Sequence, residues 1–73
     1  MPRYVVTTRR EARVGGGAPT ALAAASSEQG VSIVQSSDPN MVTIETSAEG
    51  AERLKQKFGA THIVEPEVRR SIQ

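Results

Sequence analysis

Val31-Ser32-Ile33-Val34-Gln35-Ser36-Ser37-Asp38-Pro39-Asn40-Met41-Val42-Thr43-Ile44-Glu45-Thr46 reads as two β-strands joined by a turn, and the rest of the fold builds outward from it. In residues 31–35, Val31 and Ile33 alternate with Ser32; in residues 41–46, Val42 and Ile44 alternate with Thr43 and Glu45. Each strand therefore has an apolar face, with Val42 and Ile44 pointing inward. Ser36 to Asn40 is turn chemistry, because Asp and Asn side chains bond nearby backbone and Pro presets φ. A connection this short joins antiparallel neighbours, which makes the pair a hairpin.

On the C-terminal side, Ser47 is placed to cap a helix over residues 48–58. Glu49 and Glu52 lie near its positive end and Lys55 and Lys57 near its negative end, as the helix dipole favours. Ala51, Leu54 and Phe58 recur at helical spacing, and Gly59 stops the pattern. On the N-terminal side, residues 20–29 form an alanine-rich segment with Pro19 at its first turn and Gly30 after its end. Leu22, Ala25 and Gln29 fall on one face, so this helix is predicted to bury little. Farther out, residues 3–8 (Tyr4, Val5, Val6 and two threonines among them) and residues 61–64 read as strands. Arg9, Arg10 and Arg13 belong to a charged, solvated exit from the first strand, and Gly15-Gly16-Gly17 to a flexible loop. The order is β-α-β-β-α-β, an α+β, ferredoxin-like arrangement with two helices on one face of an antiparallel sheet. Residues 1–64 make one domain and residues 65–73 an extended polar tail.

A chain of 73 residues supports one core. With 37% hydrophobic content and only Tyr4 and Phe58 as aromatics, that core must be Val, Ile, Leu and Ala. A domain of this size has about 3–5 kcal/mol of stability. No cysteine is available for disulfides or thiolate metal sites. Nine basic and eight acidic residues give a net charge of +1, with no basic stripe to grip nucleic acid. RNA recognition modules share this element order, but they stack bases on aromatics of the middle strands. Here those strands offer Val, Ile, Ser, Gln, Met and Thr. No apolar run reaches the length of a membrane span, so no membrane partner is expected. Tyr4-Val5-Val6 is strand-like close to Met1 and leaves no room for a signal peptide. The expectation is a cytoplasmic, free-standing protein, or a secreted one if the chain is excised from a precursor.

No catalytic set can be assembled. His62 is the only histidine; in a strand beside Ile63 it reads as a sheet-surface residue. Ser26-Ser27 and Ser36-Ser37 stand at a helix end and a turn, the ordinary places for serine. Gly15-Gly16-Gly17 lacks the Lys-Ser/Thr that completes a phosphate loop. Neither enzyme activity nor a cofactor nor a metal is expected. What remains is a protein that works by binding another protein.

The stretch from Ser47 to Glu67 carries the most specific signal. An amphipathic helix leads to a short strand ending Val64-Glu65-Pro66-Glu67, and Val-Arg-Arg-Ser-Ile-Gln follows. Together with the opening Arg3-Tyr4-Val5-Val6, this resembles the propeptide family of subtilisin-like serine proteases, which includes free-standing inhibitors. The likeness covers nearly the whole chain by element order and its two ends by residue type. It implies a sheet that docks on two parallel surface helices of the protease. Glu65 and Glu67 match the family's acidic positions, which cap the N-termini of those helices. The tail would then run extended into the substrate cleft as an added strand. Gln73 would fill the primary specificity pocket, Ile72 the next and Arg70 the fourth from the cut, with Ser71 between them. Where the family's fourth pocket takes an apolar side chain, Arg70 is charged, which points to a protease with acidic subsites. Arg69-Arg70 also has the form of a dibasic cleavage site. By favouring the native-like state of its protease, such a domain would also assist folding. The resemblance implies a monomer when free. The alternative reading is a small ferredoxin-like interaction or regulatory domain that forms a homodimer through its sheet.

Overall fold

The hairpin read from the sequence is the outer half of a four-stranded sheet in the computed structural model, which describes residues 2–67. The elements are β1 (Arg3–Thr8), α1 (Arg10–Gly15), α2 (Ala21–Ser26), β2 (Ser32–Asp38), β3 (Met41–Glu45), α3 (Ala48–Phe58) and β4 (His62–Pro66). The strand order is β2-β3-β1-β4, with every neighbouring pair antiparallel. Each β-α-β crossover therefore straddles one strand of the other, and the ferredoxin-like α+β arrangement is present. It contains three helices, one more than expected.

Period-2 alternation assigns the two faces of the sheet. Val6 is in register with Val42 and with Val64, and Thr8 with His62. These residues and Ile44 are buried against α2 and α3. Ala51 and Leu54 of α3 and Ala21 and Ala25 of α2 complete the core, with Tyr4, Leu22, Val31 and Phe58 packed around it. Three of the six residues of α2 are buried, all of them alanine. Their small side chains let the helix backbone lie close to the sheet, so α2 contributes more than its sequence pattern predicts. Its inward residues are Ala21, Ala24 and Ala25; Gln29 lies beyond the helix and is exposed.

The starts of α2 and α3 are capped by hydroxyls. Thr20 Oγ1 accepts from the Ala23 N–H at 3.1 Å, and Ser47 Oγ accepts from the Gly50 N–H at 3.1 Å. Residues 48–58 form α3 with the bounds expected from sequence. Gly59 ends it with φ −58°, a right-handed conformation any residue adopts. Glycine is needed there for another reason: a Cβ would run into the Lys55 carbonyl oxygen.

Several boundaries differ from the sequence reading. The basic exit after β1 folds into the short helix α1, which ends in a left-handed Gly16, φ +74°, and buries none of its residues. The turn between β2 and β3 contracts to Pro39-Asn40, where the Asn40 N–H donates to Asp38 Oδ1 at 2.9 Å. β2 gains Ser36 to Asp38 by adopting two register shifts against β3. Lying at the sheet edge, with β3 as its single strand neighbour, it is exposed along its whole length. β4 continues past Val64 to Pro66, so part of the expected tail belongs to the sheet.

Candidate docking face

The second face of the sheet carries no helix. On it, Thr7 stands between Met41 and Ile63, and Val5 between Thr43 and Glu65. Arg3 stands beside Glu45, and its carbonyl accepts the Glu67 N–H at 2.9 Å. The middle of this face is therefore apolar or hydroxylic, while its charges gather at one end. There Arg3 Nε donates to Glu45 Oε2 at 3.2 Å across two half-open side chains. A pair so exposed adds little to stability.

Glu65 and Glu67 are two residues apart on the edge strand or directly after it, and so lie on the same side. Both are exposed, and among the described residues neither carboxylate is in an ion pair or a side-chain hydrogen bond. A carboxylate so placed can accept two hydrogen bonds from backbone N–H groups of an approaching molecule. The edge position matters as well, because β4 has only β1 as a neighbour. Arg70, Ser71, Ile72 and Gln73, the tail residues singled out from sequence, lie outside the described residues.

The remaining candidates fall into structural roles. His62 is not a surface residue: only 1% of it is exposed, and it faces the helices. Its register with Thr8 places it on the same face as Val6 and Val64. The Pro19 carbonyl, 2.9 Å from Nε2, can only accept, so Nε2 carries the proton; in the neutral ring Nδ1 then accepts from Thr61 Oγ1 at 2.7 Å. The ring also meets Phe58 edge-on at 5.6 Å. This ties the loop before α2 to the start of β4. Among the described residues Glu28 is the one buried carboxylate, accepting from Arg53 Nε and Lys57 Nζ, each at 2.8 Å. The hydrogen bond from Lys57, followed by that from Arg53, holds its carboxyl below the ordinary glutamate value. This cluster joins the end of α2 to α3, and nothing in the sequence singled it out.

Comparison with known proteins returns no match to a family model, a curated protein or a solved structure. Among the described residues, no helix is long and apolar enough to cross a membrane.

Proposed function

We propose that this chain binds a subtilisin-like serine protease as a propeptide-type inhibitor, with the uncovered sheet face as its docking surface. The observation that carries the reading is the placement of Glu65 and Glu67 at the rim of that face, exposed and pointing to one side. Val5, Thr7, Thr43 and Ile63 supply a flat, uncharged middle that fits against packed helices. The two carboxylates then meet the N-terminal N–H groups of those helices, where the dipole is positive. Each such contact contributes about 0.3–1 kcal/mol, more once desolvated. The chain beyond Glu67 follows into the substrate cleft, with Arg70, Ser71, Ile72 and Gln73 as the pocket residues. Stabilising the helices it covers, the domain also assists the folding of its protease. A free-standing inhibitor of this kind is cytoplasmic; a domain excised from a precursor is secreted.

The test is titration of the intact chain into a panel of subtilisin-like proteases. Inhibition in the micromolar range or tighter is expected for at least one. The double substitution Glu65→Ala/Glu67→Ala should weaken it about 3–30-fold, from two contacts of the size given above. Removal of residues 70–73 should weaken it further while leaving the thermal midpoint in place. No inhibition by the intact chain of any protease in the panel would sink the reading. A stable dimer by mass measurement, without protease affinity, would replace it with a homodimer built on the same face.

A further inference from the structure

We propose that α1 is a cleavage site for a trypsin-like protease of basic specificity, and that a single cut there dismantles the domain. The argument starts from how the segment is held. On its N-terminal side, Arg9 is fixed twice: its N–H donates to the Thr61 carbonyl at 2.8 Å and its Nε to the Gly59 carbonyl at 3.1 Å. On its C-terminal side, the next tie to the body is the Pro19 carbonyl on His62. Residues 10–18 between these two anchors bury nothing: α1 has no buried residue and Val14 is 81% exposed. Around Gly15, Gly16 and Gly17 there is open space where a side chain would stand. Opening α1 therefore sacrifices one turn of backbone hydrogen bonds and no fully buried side chain, which places it at the low end of local unfolding energies. A protease must draw several residues into extended form to cut, and a segment of nine can supply them without disturbing the sheet.

The segment also carries the right side chains. Arg10 and Arg13 are exposed within it. The other described basic residues are worse substrates. Arg3 lies in the strand between β3 and β4, and Arg9 is pinned as above. Arg53, Lys55 and Lys57 lie in α3, which buries Ala51 and Leu54 and is fastened to Glu28. Hydrolysis after Arg13 adds one water across the peptide bond, leaving a carboxylate on Arg13 and an amino group on Val14.

The consequence follows from the topology. β1 is a central strand, bonded to β3 on one side and β4 on the other. Before the cut it is tethered to its partners at an effective concentration of about millimolar. Afterwards it is a separate peptide. In a micromolar solution its association is disfavoured about a thousandfold relative to the intact chain, a factor comparable to the whole folding constant of a domain this small. The site thus acts as an off-switch for whatever the folded domain holds, and it does not depend on the protease-inhibitor reading.

The experiment is limited digestion of the whole chain with trypsin, with fragments identified by mass and only cuts between residues 4 and 67 scored. The first such cut is expected after Arg10 or Arg13. Arg10→Gln/Arg13→Gln should slow loss of the scored region about tenfold or more, with unchanged circular dichroism. The nicked protein, at micromolar concentration, should lose its cooperative thermal transition. A first cut within α3, or a nicked species that melts at the intact midpoint, would overturn the proposal.

Discussion

Gly50 stands in the first turn of α3, where alanine would ordinarily raise helix stability by about 1 kcal/mol. Here a Cβ would overlap the hydroxyl of Thr46, itself buried at the end of β3. Overpacking of this kind costs about 1–3 kcal/mol, so the clash outweighs the propensity gain. Gly50→Ala should fail to stabilise and should cost up to about 2 kcal/mol in urea denaturation, and the added change Thr46→Ala should recover part of it. Glu28 sets a different expectation. Its carboxyl titrates below the ordinary glutamate value of 4.5 in the folded state, because Lys57 and Arg53 bond its charged form. That contribution is whole above the unfolded value and fades as pH falls through the lower folded one. The urea midpoint should therefore drop on acidification from about pH 6 to about pH 3, and less steeply in Glu28→Gln. Neither feature was legible in the sequence, since Glu28 meets partners 25 and 29 residues away. His62 was legible and misread: two residues before Val64 in one strand, it had to share Val64's inward face.

Elements were recovered in proportion to how much of their signal is local. α3 carries its cap, its dipole charges and its apolar spacing within twelve residues, and its bounds were read correctly. α2 has three buried alanines instead of a stripe of large side chains, so a pattern that scores size underrates it. Its closeness to the sheet gives a direct test. Ala25→Leu adds three carbons at a site with no exposure, and should cost about 1–3 kcal/mol, read as a lower thermal midpoint. α1 was taken for an irregular exit because nothing packs on it; only its backbone forms the helix. β2 outran its predicted end by tolerating two register shifts, devices that also twist a sheet edge away from unwanted partners. That favours a protein whose edge stays single.

For the molecule as a whole, the net charge of +1 conceals a separation. Arg9, Arg10 and Arg13 follow β1 at one end of the sheet, near the close of α3 with Lys55 and Lys57, and outnumber Glu11 and Asp38 there. Glu45, Glu49, Glu65 and Glu67 collect at the other, with Arg3 among them. Composition cannot show this, because the register of the sheet decides which charges share an end. The architecture itself was legible, since two β-α-β halves flank a short turn. The proposed docking face was only partly so: Glu65 and Glu67 stand in a stretch that resembles an acidic motif, whereas Val5, Thr7, Thr43 and Ile63 belong to no motif. Their alternation with the inward residues was the signal that would have found them.

The central place of β1 has a consequence for synthesis. Tyr4, Val5 and Val6 leave the ribosome early, yet their ladder partners are in β3 and β4. At about 5–20 residues per second, roughly 3–12 seconds pass between the emergence of β1 and that of β4. Until β3 emerges the segment has no ladder partner, and its other edge stays open until the arrival of Val64 lets the sheet close over it.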